Sequence, residues 1–115
     1  MDNMKNTTPA AEQAQDDDLI LKLAKPYTFE GEEHTEVDLH GLESVSGGDL
    51  ASVARMVAKL GVVSPMPEMT MDYSYFMAAR VTGKKVEFFQ GLPGREAIKL
   101  KNIVTGFLYG GDGDN

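Results

Sequence analysis

The run from Val86 to Tyr109 constrains the fold more than any other part of the chain, because it holds the densest apolar material and the clearest helix start. Leu92-Pro93 marks a junction. The residue before a proline is pushed out of the helical region, while proline itself suits the first helical position. Glu96 falls in the first turn, where a carboxylate opposes the positive end of a helix. Ala97, Leu100, Val104, Phe107 and Leu108 recur at spacings of three and four, with Ile103 beside them, and form one wide apolar stripe. Lys99, Lys101, Asn102 and Thr105 mostly fall off that stripe. Gly110-Gly111 permits positive φ and ends the helix. The preceding Val86–Gln90 reads as one short helical turn closed by Gly91. Everything upstream must cover this anchor helix.

The chain has 115 residues, room for one domain, and its 42% hydrophobic content supports a modest core. It contains no cysteine, which excludes a disulfide framework and agrees with a reducing cytoplasm. Met1–Asp18 lacks the basic start and apolar run of a signal peptide. No apolar stretch nears the roughly 20 residues that span a bilayer. A soluble protein without a membrane partner is expected.

The net charge of −7 is unevenly placed. Five acids against Lys5 give residues 1–18 a net −4, and Asp112 and Asp114 add −2 at the other end. That leaves −1 for the centre. A nucleic-acid binder needs a clear positive face, so nucleic acid is not an expected partner. Residues 1–18 carry nothing apolar after Met4 larger than alanine or proline, and are expected to form a disordered acidic leader. Residues 19–111 form the domain, and 112–115 a flexible acidic tail.

Leu19–Leu23 suggests a strand that Pro26 breaks or bends. Tyr27–Glu30 and His34–Leu39 flank Gly31 with alternating apolar and polar residues, which predicts a hairpin. Tyr27, Phe29, Thr35, Val37 and Leu39 would share its inward face. Ser46 with Asp49 three residues on resembles a capping box, and Leu50, Val53, Ala54, Val57 and Leu60 follow at helical spacing to a stop at Gly61. Val62–Glu68, with Pro65 and Pro67, is a connecting loop. Thr70 caps a further helix over Met71–Thr82, ended by Gly83. The expected fold class is α+β: an N-terminal β-hairpin packed on about three main α-helices.

The helix over 71–82 is apolar nearly all round, so it is either fully buried or presents a second face to a partner. Leu50, Val53, Val57, Leu60, Leu100, Val104, Leu108, Phe29 and Val37 already make a small core. Tyr73, Phe76, Met77, Phe88 and Phe89 then become the expected partner-binding surface, with completion of the core as the alternative.

Chemistry is sparse. His34 and His40 could share a strand face with Glu36 or Asp38 and hold a metal, but no third spaced ligand stands out, so solvent-facing strand positions are the expected role. Asp112-Gly113-Asp114-Asn115 is half a calcium loop without the distal glutamate. The glycines match neither a P-loop nor a dinucleotide pattern, and no serine has a nucleophile-elbow setting. Residues 84–101 carry a net +3, a mild basic surface. No enzyme activity, metal or cofactor is expected.

Three stretches in order carry a resemblance. They are Lys25-Pro26-Tyr27-Thr28-Phe29-Glu30-Gly31 running to Thr35–Glu43, Pro67-Glu68-Met69 ahead of Ala78-Ala79-Arg80, and Glu87-Phe88-Phe89-Gln90-Gly91-Leu92-Pro93 followed by Ala97-Ile98 and Lys101–Val104. Together they resemble the small phage tail assembly chaperones of tailed phages, prophages and phage-tail-like particles, over residues 19–111. The acidic leader is not part of that pattern. The resemblance implies a non-enzymatic protein of the host cell cytoplasm that binds the tape measure protein, keeps it soluble, helps recruit tail tube subunits, and is absent from the finished particle. Self-association into a homo-oligomer would compete for the same surface. A generic interaction module, a regulator or a neutralising partner, is the rival expectation.

Overall fold

A computed structural model describes residues 18–110. The disordered leader, Asp18 apart, and the acidic tail expected from the sequence lie outside the described residues. Strand β1 (Ile20–Phe29) and strand β2 (Glu32–Asp38) form an antiparallel hairpin. Four helices follow: α1 (Gly47–Lys59), α2 (Met71–Thr82), the single short α3 (Val86–Gln90) and α4 (Gly94–Gly110). Two 3-10 turns, His40–Ser44 and Pro67–Met69, lead into α1 and α2. This is the α+β architecture that hydrophobic spacing and cap chemistry predict.

The hairpin turns at Glu30-Gly31, where φ is 52° and 84°. Positive φ at both central residues gives a twist that matches the flanking strands. Leu21 pairs with Val37 and Tyr27 with His34, and three extra residues of β1 are accommodated between Lys22 and Tyr27. Pro26 therefore does not end the strand. Its missing N–H is tolerated within an irregular stretch of one continuous β1. Such a bulge sharpens the local twist. As a result Thr35 is exposed, and His34, expected to face solvent, takes the inward place expected for Thr35.

Caps set the helix bounds. Ser46 Oγ accepts from the Asp49 N–H at 3.2 Å, and Asp49 Oδ2 accepts from the Ser46 N–H at 2.9 Å, a complete capping box. Arg80 of α2 donates to the same carboxylate, with Nε at 3.0 Å and Nη2 at 2.9 Å from Oδ1. The Ser46 backbone and this guanidinium hold the Asp49 carboxyl below its ordinary range. Thr70 Oγ1 caps α2 by accepting from the Tyr73 N–H, and Gly83 closes it at φ 77°. Pro93 stands one residue ahead of α4, not within it, and its carbonyl accepts from the Ala97 N–H at 2.9 Å.

Helix α2 lies at the centre, packed on α1, α3, α4 and both 3-10 turns. The buried core combines Leu21, Val37 and Leu39 of the hairpin region with Val53 and Val57 of α1, and Leu100 and Val104 of α4. Gly41 lets the first 3-10 turn approach α2: a Cβ there would lie 2.7 Å from the Val81 carbonyl oxygen. Leu60, expected in the core, is instead the exposed C-terminal cap of α1, where the chain turns away at Gly61 with φ 87°.

Glu96 goes beyond its expected place in the first turn of α4. Its side chain is buried, 6% exposed for the residue, and reaches the irregular part of β1. Oε2 accepts from the Ala24 N–H at 2.8 Å, and Oε1 pairs with Lys99 Nζ at 2.8 Å. Lys99 Nζ also donates to the Lys22 carbonyl at 2.7 Å. The lysine first, then the Ala24 N–H, hold the carboxyl below its ordinary 4.5. A depressed native pKa means that the charge stabilises the fold above pH 4.5 and that this contribution is lost as pH falls through the native value. Glu96→Gln is therefore expected to cost about 1–2 kcal/mol at neutral pH. Urea unfolding of the variant should also show a shallower loss of stability on acidification. Parallel pH profiles for parent and variant would contradict this role.

Candidate partner-binding surface

Four of the five residues expected to face a partner are core. Tyr73, Met77, Phe88 and Phe89 are all buried, and Phe76 is half-buried against the same cluster. The correction has a plain cause. Helix α2 is enclosed by neighbours on several sides, so its surplus of large side chains is what fills the centre of the domain. The Tyr73 hydroxyl donates to the Leu50 carbonyl at 3.0 Å, tying α2 to α1. Burial raises its pKa. Phe88 sits among aromatic rings, with edge contacts to Tyr27, Phe29 and Phe89 at centroid distances of 5.1, 5.4 and 5.0 Å.

The histidines do not converge. His34 packs edge-on against Phe88 at 4.8 Å, whereas His40 Nδ1 meets Asp38 Oδ1 at 2.6 Å. Asp38 also accepts from the His40 backbone, which is the main cause of its lowered pKa. Among the described residues no three His, Asp or Glu side chains are placed to hold a metal ion together.

The exposed apolar side chains lie elsewhere. Met56 and Leu60 end α1, Val63 follows at 95% exposure, and Met66 and Met69 flank the second 3-10 turn. On α4, Ile98 and Tyr109 are 55% and 51% exposed. Pro65 and Pro67 mark the Val62–Glu68 segment as a connection, yet its 3-10 turn packs on α1, α2 and α4 and holds Met66 and Met69 at the surface. The available signal was methionine beside each of these prolines, where a purely connecting loop needs no large apolar group.

Met66 and Met69 form one wall of an apolar groove of about 390 Å³. The other wall is the face of α4 bearing Asn102, Thr105, Gly106 and Tyr109. Beyond Tyr109 a second hollow is lined by Leu50, Ala51, Ala54 and Leu108. The Tyr109 hydroxyl donates to Glu68 Oε2 and joins the two walls. That bond lowers the Glu68 pKa and raises the tyrosine's. Gly106 belongs to this α4 wall and lies inside the helix, where glycine costs about 1 kcal/mol relative to alanine. A Cβ at Gly106 would meet nothing within 4 Å, so internal packing does not demand glycine there.

The groove lining offers apolar contact, the Asn102 amide and two hydroxyls, a set suited to binding a helix or an extended segment. Comparison with protein families, curated proteins and solved structures finds no match. Among the described residues, no helix is long and apolar enough to cross a membrane.

Proposed function

We propose that this chain is a non-enzymatic phage tail assembly chaperone that binds the tape measure protein, keeps it soluble and helps recruit tail tube subunits. It acts in the host cell cytoplasm and is absent from the finished particle. The observation that carries this reading is the displayed set Met56, Leu60, Met66, Met69 and Tyr109 on a chain of net charge −7. An acidic protein that keeps large apolar side chains in water can cover a helical client and lend it charge. Methionine suits that task because its unbranched side chain adapts to varied surfaces. The ordered stretches that resemble the family supply the identity of the client.

Co-expression with a tape measure fragment tests the reading. The parent chain is expected to move the fragment into the soluble fraction. The pair Met66→Ser and Met69→Ser should abolish this while the fold is retained with a modest fall in melting temperature, since the two residues are 47% and 38% exposed. A fragment that stays insoluble with the parent chain would overturn the proposal.

A further inference from the structure

We infer that α4 pairs with the α4 of a second copy of this chain, antiparallel about a twofold axis at Asn102; the pairing stands apart from the identity of any client. Ile98, Asn102 and Gly106 are all exposed and follow one another at intervals of four, so they form one row along the helix. Asn102 is the midpoint of that row. In a twofold interface every contact is made reciprocally. An axis through Asn102 therefore sets Ile98 of each copy against Gly106 of the other. Ile98 is an apolar knob, 55% exposed. Gly106 is the matching notch, since a Cβ built there would meet nothing within 4 Å. The notch lies in the groove lined by Met66, Met69 and Tyr109, so the incoming isoleucine is met by apolar surface. Two rows of this spacing run parallel when helices cross at about −50°, the commonest packing class. On the axis Asn102 meets its own counterpart, and an amide can both donate and accept.

Charge sets the antiparallel order. The row itself is uncharged, but its N-terminal half is flanked by exposed Arg95 and Lys99 and by half-buried Lys101. The last turn of α4 carries no basic residue to offset the negative end of its dipole. In an antiparallel pair the basic half of each helix lies toward the negative end of the other. A parallel pair would place the two basic halves side by side and would set isoleucine against isoleucine. Residues 19–111 carry only −1 of the chain's net −7, so two such domains can meet with little repulsion.

The test is sedimentation velocity of the full chain, from about 1 μM to about 1 mM. The parent should pass from the mass of one chain to the mass of two and no further, because a reciprocal interface closes at two. Gly106→Leu fills the notch and Ile98→Ala removes the knob. Each should raise the dimer dissociation constant roughly tenfold or more while leaving the melting temperature in dilute solution near the parent's. Mixing these two variants should restore a dimer containing one chain of each. One isoleucine–glycine contact then survives, and the new leucine faces the new alanine. Asn102→Asp sets two carboxylates together on the axis and should give the same loss, which keeps the test open if Gly106→Leu misfolds. A parent that stays monomeric throughout overturns the inference, as does a dimer indifferent to all three substitutions. Species larger than two chains, or a mixture of the first two variants that stays monomeric, overturn it as well.

Discussion

Phe88→Ala is expected to destabilise the fold by about 3–5 kcal/mol, the range for truncating a buried phenylalanine. The ring lies between the hairpin and the helices, in edge contact with Tyr27, Phe29, His34 and Phe89. Its removal takes away a large apolar contact area and the favourable edge geometry of these pairs together. Lys84 Nζ, 5.2 Å from the ring centroid, loses its aromatic partner as well. The hydrogen bond from the Tyr27 hydroxyl to the Phe88 carbonyl, 2.9 Å long, is made by the backbone and survives the substitution in principle. Phe88→Leu keeps most of the volume and should cost much less. Chemical unfolding monitored by circular dichroism checks both variants. A Phe88→Ala midpoint equal to the parent's would mean that the hairpin does not dock through this ring.

Leu100→Ala is expected to cost about 3–4 kcal/mol, through lost burial and the cavity left behind. Leu100 is fully buried on the inner face of α4, while Ile98, two residues earlier on the same helix, is more than half exposed. Ile98→Ala should therefore change stability by no more than about 0.5 kcal/mol, since alanine also favours the helix. The pair isolates side-chain direction from position along the chain. Urea midpoints that shift equally for the two substitutions would show that α4 does not present the face assigned to it.

Local rules carried the helices. Ser46 with Asp49, Thr70 ahead of Tyr73, and Gly83 after Thr82 are cap signals that need no tertiary partner to act, so the bounds of α1 and α2 were readable in the chain. The inward stripe Ala97, Leu100 and Val104 was readable for the same reason, since periodicity survives whatever covers it. What the sequence could not display was adjacency over long separations. The Glu96 bond to Ala24 joins residues 72 apart, and the Tyr73 bond to Leu50 joins residues 23 apart. Neither leaves a local pattern.

The expectation that Tyr73, Met77, Phe88 and Phe89 face outward came from an argument from quantity. The large side chains of 71–82 and 88–89 were counted as more than the core could hold, yet three helices and both 3-10 turns pack around α2, and the hairpin rings of Tyr27 and Phe29 cover Phe88. The exposed residues are fewer and individually ordinary, and three of them, Met66, Met69 and Tyr109, meet Gly106 in one groove. A glycine inside a strong helical pattern was, with the methionines beside the prolines, the visible trace of it.

The tie between α4 and the irregular stretch of β1 also bears on how this protein avoids aggregating. A two-stranded sheet has two borders, and an unguarded border is a template on which another strand can grow. On β1, Glu96 and Lys99 already occupy the Ala24 N–H and the Lys22 carbonyl. The β2 border presents exposed Glu32, Glu33, Glu36 and Asp38, so an identical strand laid beside it would meet a row of like charges. One side is closed by a helix and the other is defended by repulsion. Copies of the chain can therefore be crowded together without the hairpin seeding a fibre.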